Sequence, residues 1–161
     1  VRIVGPLALA VLVALPLRGS VPGYRERWSI GALRLAACAT FVFHGVAALL
    51  PQPAFLDYIF AAGHRLLGIE IAQETAESML SVIGVVDLLV GPAILLGSGR
   101  VRLVAAGYMA AWGLITCASR VVHSGADGLS EALIRVPNCG VPLALVVYWV
   151  WSERRRRAAS A

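Results

Sequence analysis

Charge is scarce in this sequence: only 14% of its 161 residues are charged, where an ordinary soluble domain carries about 25%. A chain with so little charge cannot present a whole exterior to water. Lysine is missing altogether, and all 14 basic residues are arginine, a bias that reflects genome composition more than chemistry. Cysteine is sparse as well. Cys38, Cys117 and Cys139 form no Cys-x-x-Cys motif and no Cys/His pair at ligand spacing, so no metal site is expected. They read as small buried apolar residues. Cys117 and Cys139 fall near one membrane face, which leaves a disulfide between them as the alternative. A Walker loop, a Gly-x-Ser-x-Gly elbow and a His-Glu-x-x-His helix are all absent. Nothing therefore supports hydrolysis, phosphoryl transfer or nucleic-acid binding. The net charge of +5 would suit a nucleic-acid partner, but the arginines stand at the ends of apolar runs, where they serve a different purpose.

Those apolar runs are what the chain has in abundance. Hydrophobic residues make up 59% of it, and the mean hydropathy is +0.80. Five segments are candidates to cross about 30 Å of hydrocarbon: Ile3–Leu17, Leu35–Leu50, Ser78–Gly99, Leu103–Ser119 and Val136–Ser152. Their apolarity is continuous and lacks the two-residue alternation of a barrel strand. Only helices and closed barrels satisfy their backbone in lipid, so a five-span all-α bundle is expected. The first segment could alternatively be a cleaved signal. Its one preceding arginine, its several following ones and the lack of an Ala-x-Ala site favour a retained helix.

Arginine placement predicts direction. Arg18, Arg25, Arg27, Arg34, Arg100, Arg102 and Arg154–Arg157 fall on one side if five helices alternate. Most acids, from Asp57 and Glu70 to Asp127 and Glu131, fall on the other. The expectation is a multi-pass protein of a bacterial-type inner membrane, N-terminus outside and C-terminus cytoplasmic. Residues 51–73 are too polar to cross and too apolar for a solvated loop. They are expected to form an amphipathic helix at the outer interface, with Glu70, Glu74 and Glu77 extending the third helix beyond the membrane.

Ionisable residues inside lipid are costly and call for a reason. Asp87 lies about 13 Å below the outer end of its helix, near the midplane. Gly84, Asp87 and Gly91 share one face, on which a neighbouring helix can approach closely. Asp87 is thus a proton carrier or ligand contact, or a paired aspartate that fixes packing. His44 lies about 15 Å from Arg34 and so at the depth of Asp87. A carboxylate and an imidazole at one level can shuttle protons or hold a quinone carbonyl, although a membrane histidine can also be purely structural. Tyr108, Trp112, Thr116 and Arg120 recur every four residues along one helical face. That face could line a slot for a small hydrophobic ligand. The plainer reading is core aromatics with Arg120 snorkelling outward.

Two stretches carry a family resemblance. One is Leu33-Arg34-Leu35 followed by Phe43-His44-Gly45; the other runs from Gly84-Val85-Val86-Asp87 through Gly91 to Leu95-Leu96-Gly97 and Arg100. Together they resemble the DoxX-like family of small membrane proteins, over roughly Ala32 to Val122. The resemblance implies a four-helix core preceded by one extra N-terminal helix. It also implies a component of a membrane redox system, since the family includes a subunit of thiosulfate:quinone oxidoreductase. Asp87 stands where that family usually has glutamate, and Pro92 directly follows the glycine, so the reach of the carboxylate differs. On this reading His44, Asp87, Trp112 and Arg120 are the candidate site residues. A quinone is the candidate cofactor, and the partners are the lipid bilayer and other membrane subunits. The alternative is a non-catalytic accessory or assembly subunit.

Overall fold

The computed structural model describes residues 23–50 and 52–160; the expected span Ile3–Leu17 lies outside them. Among the described residues all regular structure is helical. Four long helices are present: α1 (Gly23–Leu49), α3 (Gln73–Leu96), α4 (Gly99–Ser124) and α5 (Leu129–Ala159). A short helix, α2 (Pro53–Ala62), lies between α1 and α3. Among the described residues, three continuous helical stretches are long and apolar enough to cross a membrane: Glu26–Leu49, Gln73–Leu96 and Gly99–Ala159. The last contains both α4 and α5, which fold back on each other at the turn Gly125–Gly128.

The long helices form two antiparallel pairs, α1 with α3 and α4 with α5. Glycines set how near the partners come. A Cβ placed on Gly84 would stand 2.9 Å from the Gly45 carbonyl oxygen, and one on Gly45 would stand 2.8 Å from the Gly84 carbonyl oxygen. The face that the sequence marks as Gly84-Asp87-Gly91 is thus occupied by α1, from within the same chain. Between α4 and α5 the contact is Gly113, where a Cβ would meet the Asn138 carbonyl oxygen at 2.7 Å. Pro142, one turn on from Asn138, has no N–H to give that carbonyl, so the close glycine backbone covers an oxygen the proline leaves free. The core between the pairs is Leu33, Phe41, Ile94, Met109, Leu145 and Trp149.

The exterior carries large apolar side chains. Leu96 is 85% exposed, Val104 72%, and Phe43 and Leu133 68% each. Such a surface is a poor fit for water and a good one for hydrocarbon.

Several bounds differ from expectation. Helix α1 starts at Gly23, well before Leu35, because Ser29, Ile30 and Leu33 are already buried and Tyr148 donates to Glu26 at 2.5 Å. Helix α5 starts at Leu129 and runs through Pro137 and Pro142, the loss of backbone bonds being tolerated where neighbouring helices cover the freed carbonyls. Residues 51–73 are not one interfacial helix. After α2 the chain makes a wide turn over Gly63–Leu67, and Gly68, with φ +66°, ends it in the left-handed region that glycine favours. Glu70 therefore precedes α3 and does not belong to it, whereas Glu74 and Glu77 lie in its first turns. All three cysteines are free thiols; Cys139 donates to the Val136 carbonyl at 3.1 Å.

Candidate functional site

Asp87 is fully buried at the middle of α3. Stripping a carboxylate of water is expensive unless hydrogen bonds replace the lost hydration. Two side chains do so. His44 Nδ1 lies 2.5 Å from Asp87 Oδ2, and the Tyr108 hydroxyl donates to Asp87 Oδ1 at 2.9 Å. The three residues come from α1, α3 and α4, so the carboxylate ties both helix pairs together. Gly45, next to His44, and Gly84, one turn from Asp87, permit the separation that the imidazole spans.

Phe41 meets the Tyr108 ring edge-on at 6.3 Å between centroids, and Tyr108 stacks with Trp112 at 6.5 Å. On its other side, the His44 ring lies 5.1 Å from that of Phe55, which α2 supplies. His44 keeps 24% of its side chain exposed. Nδ1 is taken by Asp87, which leaves Nε2 outside that contact. The ring borders a cavity of about 330 Å³ between α2, α3 and α4, walled by Leu66, Met79, Ile83 and Ile115 among others. That volume is at the small end of ligand sites, which run from about 300 to 1,000 Å³.

The far wall holds Trp112 and Arg120. Arg120 is only 3% exposed, so its side chain is turned inward and the snorkelling alternative does not describe it. Its guanidinium lies 3.5 Å from the Tyr58 ring centroid, a cation–π contact that holds α2 in place. Glu131 Oε2 is 3.9 Å from Arg120 Nε, an ion pair beyond hydrogen-bond length. Arg120 Nε and Nη1 and Trp112 Nε1 are buried donors with no partner among the described residues. Unpaired buried donors are uncommon and mark a place where an acceptor is wanted.

The chain matches no family model, no curated protein and no solved structure.

Of the residues singled out in the sequence, His44 and Asp87 are in direct contact, and His44, Trp112 and Arg120 border one cavity. Thr116 borders it too, although its hydroxyl donates to the Gly113 carbonyl at 3.0 Å. His64 lies apart, on the exposed turn after α2, while His123 sets its ring against the outer side of Tyr58 at 5.2 Å. Three residues were not in the candidate set. Tyr108 shares the Trp112 face, and its four-residue spacing was the available signal. Phe55 and Tyr58 sit in a segment whose pattern reads as interfacial, and nothing local to it announces a wall of the cavity. Among the described residues no cluster of three or more His, Cys, Asp or Glu could hold a metal ion.

Chemically, the arrangement offers an apolar slot bordered by Trp112 and Arg120 at one wall and by an imidazole at another. The imidazole is backed by a buried carboxylate. Such a slot favours a flat, largely apolar molecule bearing acceptor oxygens, and it allows a proton to pass between that molecule and the His44–Asp87 pair.

Proposed function

We propose that this protein is a DoxX-like component of a membrane redox system that binds a quinone headgroup in the cavity between α2, α3 and α4. Trp112 and Arg120 hold the carbonyl oxygens, and His44, oriented by Asp87 and Tyr108, gives or takes one of the two protons that accompany two-electron reduction or oxidation, the other being exchanged with water. A partner subunit supplies the two electrons for reduction or accepts them on oxidation. On this reading the chain is integral to a bacterial-type inner membrane. It makes five spans, with Ile3–Leu17 the first, and places its arginine-rich end in the cytoplasm.

The single observation that carries the reading is that Arg120 and Trp112, which carry buried donors with no partner among the described residues, border the same slot as His44. A ligand with acceptor oxygens relieves them, and apolar walls select a ring rather than an ion. The slot is small enough to suit a headgroup alone, leaving an isoprenoid tail to run among lipid chains.

The accessory reading has one observation in its favour. Gly107 and Ala111 lie one turn apart on an exposed strip of α4, and a Cβ on Gly107 would meet nothing within 4 Å. Close helix contact in lipid uses such pairs.

The test is purification from native membrane followed by quinone extraction. Retained quinone that falls at least tenfold in both His44→Ala and Trp112→Phe supports the redox reading. Undiminished quinone in both variants, with partner subunits lost on Gly107→Leu, supports the accessory one.

A further inference from the structure

A second cavity lies at the opposite end of the bundle, where α1 begins, α4 begins and α5 ends. Its volume is about 550 Å³. Arg27, Arg34, Arg100, Arg102 and Arg156 border it, and the acid among its bordering residues is Glu153. That acid is already engaged, since Arg157 donates to Glu153 at 2.7 Å. Glu26, nearby on α1, accepts from the Tyr148 hydroxyl at 2.5 Å. The other seven acids of the chain lie at mid-bundle or on segments at the far end. Residues 1–22, which precede α1 in the chain, hold two arginines and no acid. The five arginines of this cavity therefore outnumber the two carboxylates near them, Glu153 and Glu26.

The five arginines are not equivalent. Arg34 spends its donors on the Ile94 carbonyl, at 2.8 Å, and on the Leu95 carbonyl, so it serves the end of α3 while adding charge to the cavity. Arg102 lies over the Trp149 ring, 4.8 Å from its centroid, and its Nε is buried with no partner among the described residues. Arg27, Arg100 and Arg156 are exposed and surround the opening. The 26-residue helix α4 starts here at Gly99, with no side chain capping its first turn, so the positive end of its dipole adds to the same field.

We propose that this cavity is a binding site for a phosphate group, supplied by the headgroup of an anionic phospholipid. Guanidinium groups match phosphate oxygens in pairs, which lysine does not. The inner wall is apolar, through Ile30, Leu103 and Trp149. Val101 and Val104 continue on the exposed side of α4, 57% and 72% exposed, and offer acyl chains a path away from the headgroup. Basic pockets between helix ends at a membrane surface take anionic lipid for these reasons.

The experiment uses the full chain in a neutral detergent, with thermal unfolding and native mass spectrometry as readouts. Phosphatidylglycerol is expected to raise the unfolding midpoint by about 5 °C and to remain bound in the spectrum, with phosphatidylcholine doing neither. Arg102→Gln and, separately, Arg100→Gln are expected to weaken lipid binding at least fivefold. The double variant Arg154→Gln/Arg155→Gln, which removes two tail charges outside the cavity, is expected to bind as the parent does. Arg100 is exposed, so its variant keeps the test valid if Arg102→Gln fails to fold. Two results would overturn the proposal. One is equal loss in the tail and cavity variants, which would reduce the effect to general charge attraction. The other is full stabilisation by inorganic phosphate with no added effect of lipid, which would make a free anion the ligand.

Discussion

His44 Nδ1 and Asp87 Oδ2 stand 2.5 Å apart across 43 positions of chain, and the Tyr108 hydroxyl occupies the other oxygen of the same carboxylate. A fully buried acid is thereby supplied with two partners from two different helices. Its contribution to stability and the proton chemistry proposed for it rest on the same contacts, and the two can be separated by substitution.

Asp87→Asn removes the charge and keeps the shape. It is expected to destabilise the protein by about 1–3 kcal/mol, the range for disturbing a buried hydrogen bond that involves a charged group. Tyr108→Phe is expected to cost about 1 kcal/mol. A double-mutant cycle of the two, read by unfolding in detergent, should give a coupling of at least about 0.5 kcal/mol. Strict additivity would mean that the hydroxyl and the carboxylate do not interact.

The glycine contact between α1 and α3 can be tested without touching any ionisable group. Gly84→Val places a branched side chain against Leu49 Cγ and the Gly45 carbonyl, which a Cβ alone would approach to 2.8 and 2.9 Å. Overpacking of this kind costs about 1–3 kcal/mol, and the separation of the helices should also abolish ligand retention. Gly107→Ala, with nothing within 4 Å of its Cβ, is the control and should melt within about 0.5 kcal/mol of the parent.

Arg34 donates to the carbonyls of Ile94 and Leu95 at the C-terminal end of α3. Those groups have no partner within the helix itself. Arg34→Leu should cost about 1.5–3 kcal/mol and should raise amide exchange in the last turn of α3. Arg34→Lys, with one point charge and no fork, should recover part of the loss. Unchanged exchange in both variants would show that the helix end is held by something else.

Tyr58→Leu removes the ring beneath the Arg120 guanidinium. The contact is desolvated, so about 2 kcal/mol is at stake. Helix α2 should become more accessible to limited proteolysis, with α1, α3, α4 and α5 intact by circular dichroism, and on the proposed function quinone retention should fall about tenfold. Proteolysis at the parental rate would mean that α2 is secured elsewhere, for instance through Arg65, which donates to the Val122 carbonyl at 2.6 Å.

A reporter fused after Ser160 tests direction. An activity that requires the cytoplasm should be retained and one that requires export should be lost. The reverse pattern would overturn the orientation drawn from the arginines.

The helices were legible because hydropathy is a one-dimensional signal. Apolar runs such as Ser78–Gly99 and Leu103–Ser119 correspond to α3 and α4 with shifts of a few residues at most ends. Depth was legible for the same reason: a fixed rise per residue, counted from Arg34 to His44 and from the start of the third helix to Asp87, puts both at one level. The boundaries of α1 and α5 were not. Trp28–Arg34 and Leu129–Arg135 are polar enough to read as flanks, and the groups that meet them, the Ile94 carbonyl at Arg34 and the Arg120 guanidinium at Glu131, belong to other helices.

What the sequence by itself determined was the presence of runs apolar enough to cross a membrane, the helical class, the arginine-bearing ends and the level of each ionisable group along its helix. All four follow from local composition and from the geometry of a single helix. The direction in which each side chain points around its helix was decided only by the tertiary structure. Azimuth depends on which neighbour a face meets, and that is set by contacts such as Gly45 with Gly84 and Gly113 with Asn138, between residues far apart in the chain. The inward turn of Arg120, the covering role of α2 and the gathering of five arginines around one cavity are all consequences of that packing.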